Sequence, residues 1–285
     1  MLSRTQLRQF LAVVDTGAFT RAAHLLNVAQ PSLSAGIAQL ERELGTRLFV
    51  RERRRIRLTE AGNALLPLAR AIERDFHRAE RQVGSLPVPA RPVRLGVLES
   101  VSTAWIERAV AKYDGNEPLE LTEGSERELQ AALASGSLDL ALTLVSPGAR
   151  GAEPLLDEDY CLALPASHPL ATQTDLRVED VAAETMIARR ACEALGETSR
   201  FFTERGVRPR FALRSGNDDR ALAMVRAGLG VTVAPRSLGR EGIAMVAIDG
   251  FGRSRTIGFA FGNHWTDEFG GQHPLLQAFR ETRLD

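Results

Sequence analysis

The residues best suited to chemistry in this sequence are uncharged hydrogen-bonding side chains on one predicted helix, QPSLSAGIAQLEREL. Leu33, Ile37, Leu40 and Leu44 recur at helical spacing and predict its buried face. The opposite side carries small or uncharged residues where a solvated helix is normally charged: Ser32, Ala35, Gly36 and Gln39. Serine and glutamine can hydrogen-bond to base edges, and small residues allow close approach to phosphates. The chemistry that this pattern predicts is sequence-specific contact with the major groove of DNA.

A basic hairpin is predicted directly after this helix. In the segment LFVRERRRIRLT, two short apolar pieces at 48–50 and 56–58 flank a run of arginines. The guanidinium groups at its tip would contact the DNA backbone or the minor groove beside the helix. The predicted DNA-binding residues are Thr20, Gln30, Pro31, Ser32, Ser34 and Gln39 on the helices, and Arg51, Arg53, Arg54 and Arg55 on the hairpin.

The element that must position these groups is a helix-turn-helix at residues 20–45. Thr20 is expected to cap the first helix, and NVAQ forms the turn. Gln30 and Pro31 begin the second helix, since proline suits a first helical turn. A tight turn of this kind presents the N-terminal residues of the second helix to the groove. Short antiparallel helices in an unrelated bundle would give a similar pattern, so this alternative stays open on the helices alone.

The charges are divided along the chain in a way that supports a nucleic-acid partner. The net charge of the 285 residues is zero, but the first 86 hold 14 arginines against 8 acidic residues, a charge of +6. The remainder holds 22 basic and 28 acidic residues, a charge of −6. A basic N-terminal segment followed by an acidic remainder predicts that the N-terminal segment binds a polyanion. Composition bias explains why 35 of the 36 basic residues are arginine, but not this division by position.

Three segments follow one another along the chain. Helical patterns and the hairpin predict a DNA-binding domain at 1–59. A long amphipathic helix, which tolerates Pro67 and whose apolar stripe needs a partner, is predicted with a proline-rich hinge at 60–90. From 91 to 285 the strand and helix patterns begin as βαβαβ and predict a largely parallel α/β sheet. We therefore predict an α+β multidomain protein whose last domain has two lobes around a cleft, at about 91–162 with 264–285 and at about 163–263.

The cleft between two such lobes is the expected ligand site, because ligands bind at the carboxyl ends of the strands. The segment LGVLESVST ends a strand and opens a helix, where hydroxyl and N–H groups can bind an anion. Ser125 and Asn217 would either contact the ligand or only cap their helices. The predicted ligand is a small organic anion, with a carboxylate favoured over a sugar. The candidate residues are Ser100, Ser102, Thr103, Ser125, Arg189, Arg190, Cys192, Asn217, Asp218 and Thr232.

The order of several motifs resembles one protein family. The run FTRAAHLLNVAQPSLS, followed by LERELGTRLF and LTEAG, resembles the N-terminal domain of LysR-type transcriptional regulators, and ASGSLDLAL, HPLA and VRAGLGVTVAP extend the resemblance. It implies a winged helix-turn-helix, a dimerising linker helix and a two-lobed effector domain similar to periplasmic binding proteins. It also implies a homodimer or homotetramer and a small-molecule inducer, and RNA polymerase is a further expected partner. Many members carry a basic residue and a glutamine where this chain has Ala35 and Gly36.

Cys192 supports an alternative, a redox-responsive regulator. It lies roughly where peroxide-sensing members of the family keep a reactive cysteine, and Arg189 and Arg190 are expected to lower its pKa. No counterpart of their resolving cysteine follows in TSRFFTERG, and Cys161 is predicted to be a strand residue. A plain pocket or core thiol is therefore favoured over a redox centre.

Other classes of protein are disfavoured by missing patterns. The sequence has no GxSxG, Walker loop or HExxH motif, and its five histidines lack metal-ligand spacing, so neither an enzyme nor a cofactor is predicted. No apolar run reaches the roughly 18 to 20 residues that cross a bilayer, and no signal peptide precedes the first helix. We therefore expect a cytoplasmic protein. A solute-binding receptor is the remaining alternative class, and the basic N-terminal segment argues against it.

Overall fold

The computed structural model describes residues 2–52, 55–83, 91–146, 148–263, 265 and 271–282. The chain divides into two compact units. The first is formed by Met1–Arg91, Ala131–Asp139 and Gly262–Glu268, and the second by Pro92–Gln130, Leu140–Phe261 and Phe269–Asp285. Within the described ranges, no helix combines the length and apolar character needed to span a bilayer.

The N-terminal part of the first unit folds around one apolar core. Its elements are α1 (Arg4–Thr16), α2 (Phe19–Leu25), α3 (Gln30–Leu44), β1 (Phe49–Glu52), β2 (Arg55–Leu58) and α4 (Glu60–Val83). Phe10 and Leu33 are fully buried in this core, and the Phe10 ring lies 5.4 Å from the ring of Phe49. A capping box formed by Ser3 and Gln6 fixes the start of α1.

The turn between α2 and α3 depends on a residue with a left-handed backbone. Asn27 has a φ of 53°, a conformation that asparagine adopts more readily than most residues other than glycine. It reverses the chain within a few residues and lets Val28 N donate to Ala23 O at 3.0 Å. The predicted helix-turn-helix is therefore present, with its second helix beginning at Gln30.

Helix α4 follows the hairpin and continues through Pro67. Its glycine, Gly62, allows close contact with the hairpin, since a Cβ atom there would lie 2.3 Å from the Leu48 carbonyl oxygen. One face of α4 packs on the core through Leu66 and Ala69. The neighbouring face exposes four apolar residues, called the α4 stripe below: Ala64, Leu68, Phe76 and Ala79.

The second unit is an α/β domain with two lobes. Its elements are β3 (Val93–Leu98), α5 (Thr103–Lys112), β4 (Leu119–Gly124), α6 (Glu126–Ala134), β5 (Leu140–Leu144), β6 (Ala152–Pro165), β7 (Asp175–Leu176), β8 (Thr185–Arg189), α7 (Leu195–Glu204), β9 (Arg210–Ser215), α8 (Asp218–Arg226), β10 (Thr232–Pro235), β11 (Ile243–Ile248), β12 (Ser254–Phe261) and α9 (Pro274–Glu281), with α6 spanning the division between units. The first lobe holds β4, β3, β5 and β12 in that order. The second lobe holds β10 and β11, which pair with the end of β6, and the parallel pair β8 and β9.

The sheet is mixed, which corrects the prediction of a largely parallel one. β3 is parallel to β4 and β5, but β12 is antiparallel to β5 and β6, and β6 is antiparallel to β10 and β11. The 14-residue β6 runs from one lobe into the other, whereas the pattern YCLALP indicated only its second half. Because β12 pairs with β5, residues 254–261 lie in the sheet of the first lobe and not in the predicted second lobe at 163–263. Strands that pair but lie far apart along the chain leave no local sequence pattern from which their pairing could be predicted.

Candidate DNA-binding surface and ligand site

Helix α3 presents polar groups on its exposed side. Leu33, Ile37 and Leu40 are buried, as their spacing predicts, but Leu44 is the last residue of the helix and is 40% exposed, which corrects the prediction there. Pro31, Ser32, Ala35 and Gln39 are exposed. The Gln30 Nε2 atom donates to Ser34 Oγ at 2.9 Å across one helical turn. Within the part of the chain that the structure describes, no side chain caps the N-terminus of α3. The first two turns therefore offer backbone N–H groups, a carboxamide and hydroxyls to a partner.

Two details of the predicted surface need correction. Thr20 is exposed but lies inside α2, so it does not cap that helix, which begins at Phe19. Gly36 faces α1, because a Cβ atom on it would lie 1.9 Å from Gln9 Oε1. The small size of Gly36 therefore serves the packing of α1 against α3, and not clearance for DNA.

The end of α3 holds the hairpin in place. Glu41 Oε1 accepts from the backbone N–H groups of Leu48 at 2.8 Å and Phe49 at 3.3 Å. Nearby, the carboxamide of Gln39, one of the predicted DNA contacts, donates to Glu43 Oε1 at 2.9 Å. This bond ties Gln39 to its own helix in the absence of DNA.

The predicted hairpin is present as β1 and β2. In its register Arg51 pairs with Ile56 and Glu52 pairs with Arg55. The predicted DNA-binding residues at 53 and 54, both arginines, lie outside the described residues, and the side chains of Arg51 and Arg55 are not described. Contact between these four arginines and DNA stays a prediction from the sequence.

A buried polar cluster joins the two lobes of the second unit around Arg255 of β12. The Arg255 Nε atom donates to Glu158 Oε1 at 2.8 Å, and its Nη1 atom donates to Glu193 Oε1 at 2.5 Å. The Nη1 atom also donates to Ser100 Oγ at 2.8 Å, and Ser100 Oγ donates to Glu193 Oε2 at 2.7 Å. This last bond links the end of β3 in the first lobe to the segment before α7 in the second. Together with Tyr160, these residues are called the Arg255 cluster below.

Charge and hydrogen bonding set the protonation states in the Arg255 cluster. Burial alone would raise the pKa of Glu193, but the Arg255 guanidinium and the hydrogen bonds from Tyr160 and Arg255 outweigh it and lower the pKa to about 2. Burial raises the pKa of Tyr160, whose hydroxyl donates to Glu193 Oε1 at 2.5 Å. At neutral pH Glu193 is therefore an anion and Tyr160 a neutral donor.

Ser100 is the one member of this cluster among the residues predicted from the sequence. Glu158, Tyr160 and Glu193 come from β6 and from the segment before α7, and Arg255 comes from β12. One local signal could have indicated two of them, since Glu158 and Arg255 stand just before the apolar strand patterns YCLALP and TIGFAF. A charge inside a buried strand needs a charged partner, and only the fold shows which partner it has.

One of the two predicted arginines of the second lobe, Arg189, is already paired within the protein in this conformation. Arg189 is buried, and its Nε atom donates to Asp218 Oδ1 at 2.9 Å. The structure thus brings two candidate residues together as partners for each other. Arg190 is exposed, and Thr232 is buried with its hydroxyl donating to Ile187 O at 2.7 Å.

Two hydroxyls of the first lobe stand at the start of α5. Ser102 is only 5% exposed, and its hydroxyl has no hydrogen-bond partner among the described residues. The Thr103 hydroxyl donates to Asp219 Oδ2 at 2.9 Å, which forms a second link between the lobes. Ser102 is therefore the candidate hydroxyl that is left for a ligand.

Ser125 and Asn217 act as helix caps. Ser125 Oγ accepts from Glu128 N at 3.4 Å, and Asn217 Oδ1 accepts from Arg220 N at 2.7 Å. These bonds favour capping over ligand contact for both residues.

Both cysteines are buried thiols. Burial raises the pKa of Cys192, and the Arg189 guanidinium offsets this only in part, which corrects the expectation of a lowered pKa. Burial also raises the pKa of Cys161. Tyr160 and Leu162 pack in the same core as Cys192, so by the alternation along β6 Cys161 points to the other face of the sheet. The two thiols therefore do not face each other.

The chain matches two family models. Residues 5–63 match the model described as "Bacterial regulatory helix-turn-helix protein, lysR family", and residues 88–281 match "LysR substrate binding domain". The "HTH-type transcriptional regulator GltR" of Bacillus subtilis is 31% identical over 264 residues, which cover 88% of this chain and 84% of that protein. The "Probable hydrogen peroxide-inducible genes activator" of Mycobacterium avium is 34% identical over 239 residues, which cover 81% of this chain and 77% of that protein.

Solved structures show the same fold. A full-length OxyR variant from Pseudomonas aeruginosa matches with a TM-score of 0.76 and 21% identity, covering 100% of this chain and 96% of that chain. Full-length CbnR, solved in complex with its target DNA, matches with a TM-score of 0.56 and 23% identity, covering 99% of this chain and 98% of that chain. At these identities the likeness is one of fold.

Proposed function

This chain belongs to the LysR family of transcriptional regulators, and we propose that it reads its DNA target with the first two turns of α3 and responds to a small organic anion. As a member of this family it is a DNA-binding regulator with an effector-binding domain. The residues that contact DNA and the chemical class of the effector are the parts that we propose.

The exposed pair formed by Gln30 and Ser34 carries the DNA-reading proposal. Both side chains lie at the uncapped start of α3, and their hydrogen bond orients the Gln30 carboxamide on the helix surface. A carboxamide can form two hydrogen bonds with the major-groove edge of adenine. Contacts with phosphate alone would not distinguish one DNA sequence from another. We propose that Thr20, Pro31 and Ser32 contribute phosphate or base contacts around this pair.

Replacing Gln30 by alanine should reduce discrimination between the target and random DNA by about 1 to 3 kcal/mol, the usual worth of a good base contact. The target is obtained by sequencing DNA fragments that the purified protein retains, and affinities are measured by fluorescence anisotropy at fixed salt. Gln130→Ala is the matched control, because the Gln130 carboxamide also donates to a side chain one turn away on its own helix, that of Glu126, but lies on α6. Equal loss of affinity for target and random DNA would contradict base reading by Gln30.

We propose that the α4 stripe pairs with the same helix of a second copy of the chain. Leu68 is 60% exposed and Phe76 is 44% exposed, an unusual amount of exposed apolar surface for one helix face. A dimer through α4 would hold two copies of α3 for the two halves of a palindromic site. Assembly into a tetramer and contact with RNA polymerase stay predictions from the sequence.

The anion proposal is supported by the Arg255 cluster and by Ser102. The Glu193 carboxylate accepts hydrogen bonds from the donors that a carboxylate ligand would use. These donors are Ser100 Oγ, Tyr160 Oη and Arg255 Nη1. An effector carboxylate would replace Glu193 there and also gain the Ser102 hydroxyl. Because Ser100, Tyr160 and Arg255 are already bonded to Glu193, the net gain from this exchange is the bond from Ser102, worth about 1.5 to 3 kcal/mol for an ionised group. This exchange would break the Ser100–Glu193 link between the lobes.

A redox response is the second candidate function, favoured by the likeness to the Mycobacterium avium protein named above. Cys192 would be the reacting thiol. Its burial and raised pKa disfavour the thiolate, which is the reactive form. Cys161 on the other face of the sheet is not placed to form a disulfide with it. The structure of the site therefore favours the anion proposal.

One experiment separates the two candidates. Thermal shifts and release of target DNA are measured for wild type, Ser102→Ala and Cys192→Ser with a panel of metabolic carboxylates and with hydrogen peroxide. We expect a carboxylate to act on wild type and Cys192→Ser alike, and to bind at least about ten-fold more weakly to Ser102→Ala, because one bond to an ionised group is lost. A response to peroxide alone that disappears in Cys192→Ser would overturn the anion proposal.

A further inference from the structure

The second lobe contains a cavity of about 210 Å³ that lies between α7 and the strands β8 and β9. Its walls are mainly apolar, and Ala188, Phe202, Val207, Phe211 and Val233 contribute to them. None of the members of the Arg255 cluster lines it. The cavity is therefore separate from the Arg255 cluster, although three of the residues predicted from the sequence to contact the ligand, Arg189, Cys192 and Thr232, line it.

Four of the polar side chains in the walls are already engaged within the protein, whereas Ser199 and Arg208 are exposed. The hydroxyls of Thr198 and Thr203 each donate at 2.8 Å to a carbonyl oxygen one turn earlier in α7. The Thr232 hydroxyl donates to Ile187 O, and the Arg189 guanidinium is paired with Asp218. A polar ligand would lose its bonds to water without gaining replacements from these groups, which is costly. The interior of the cavity therefore selects an apolar ligand.

The mouth of the cavity, unlike its interior, is exposed to water and carries arginine side chains. Arg208 is exposed and has no ion pair or hydrogen bond among the described residues. Phe211 is 44% exposed, with the guanidinium of Arg214 4.7 Å from its ring centre. An apolar ring can thus enter while a polar or anionic end of the ligand stays near Arg208 and water.

We propose that this cavity is a second ligand site, which takes a small aromatic compound with room for a short substituent. An apolar cavity of about 150 Å³ in another protein is large enough for benzene, so this one can hold a substituted ring. Cys192 lines the cavity and directly precedes Glu193 in the chain. The occupant would therefore contact the segment that carries the carboxylate linking the two lobes. The site does not depend on the identity of the anion or of the DNA target.

Toluene and benzoate are the probes, with acetate as the control that lacks a ring, and the test uses the full-length protein. Saturating toluene or benzoate should raise the Tm by about 2 to 4 °C, because a ligand that binds only the folded state stabilises it. Ala188→Leu and Thr198→Leu fill the cavity from its two walls and should abolish the shift. Ala212→Leu adds the same side chain on β9 outside the cavity and should keep it. Acetate should have no effect on any of these proteins.

Alkylation by N-ethylmaleimide gives a second measurement, read by mass spectrometry of the peptides that carry each cysteine. Toluene should slow the labelling of Cys192 several-fold in wild type and leave Cys161 unchanged. The proposal is overturned if neither aromatic probe shifts the Tm or protects Cys192, or if both cavity-filling variants still respond like wild type. Ser102→Ala should bind toluene like wild type, so failure of the anion proposal and failure of this one give different results.

Discussion

Replacing Arg255 by methionine should lower the free energy of unfolding of the second unit by about 3 to 5 kcal/mol, the range for breaking a buried ion pair from one side. The guanidinium is buried and donates to the carboxylates of Glu158 and Glu193 and to Ser100. Methionine replaces the aliphatic part of the arginine side chain but leaves both carboxylates without this cation. Urea unfolding followed by circular dichroism measures the loss.

Arg253→Met is the matched control for this substitution. Its Nε atom lies 3.0 Å from Glu197 Oε2, and both side chains are 44% exposed, so the pair is screened by water. We expect a cost of about 1 kcal/mol or less, which is typical of exposed ion pairs. Equal losses for Arg253→Met and Arg255→Met would show that burial of the Arg255 cluster does not matter to stability.

The pH dependence follows from the lowered pKa of Glu193. Its pKa is about 2 in the folded protein against an ordinary value of 4.5, so the folded state binds the proton less tightly. The stabilisation from this group is fully present above about pH 4.5 and is lost as the pH falls toward 2. The difference in stability between wild type and Arg255→Met should therefore shrink across this window, because protonation neutralises the carboxylate that the variant leaves unpaired.

Replacing Leu68 by glutamate should weaken binding to a palindromic target by about 10² to 10⁴-fold. A monomer binds one half-site and loses the gain in affinity that comes from linking two DNA-binding domains. Leu68 lies in the α4 stripe and is 60% exposed, so its removal should leave the core of its own unit intact. Ile72, by contrast, packs against that core, and a charge there would disturb folding as well as assembly. Light scattering measures the mass of the assembly, and gel shifts on one and two half-sites measure the loss of joint binding.

The control for this prediction is Leu229→Glu, which adds the same charge at a leucine that is 45% exposed in the second unit. It should leave assembly and DNA binding unchanged. Circular dichroism should show that Leu68→Glu keeps its helical content. An assembly of unchanged mass in Leu68→Glu would remove the α4 stripe from the interface.

The local elements of this protein follow from its amino-acid sequence. Helix α3 could be read from the spacing of Leu33, Ile37 and Leu40 and from the proline in its first turn, because burial repeats with the period of a helix. The order of motifs and the division of charge indicated a DNA-binding regulator with an effector domain. That prediction is confirmed by the family models.

Contacts between residues far apart in the chain depend on how the elements pack. Arg255 contacts Glu193, Glu158 and Ser100 across 62, 97 and 155 residues of chain, and the crossing of β6 and β12 brings them together. The same holds for Gly36, whose small size serves a contact with Gln9 on another helix. Periodicity reports which face of an element is buried, because burial acts on each residue in turn. It does not report what lies against that face, since the partner depends on how the elements pack.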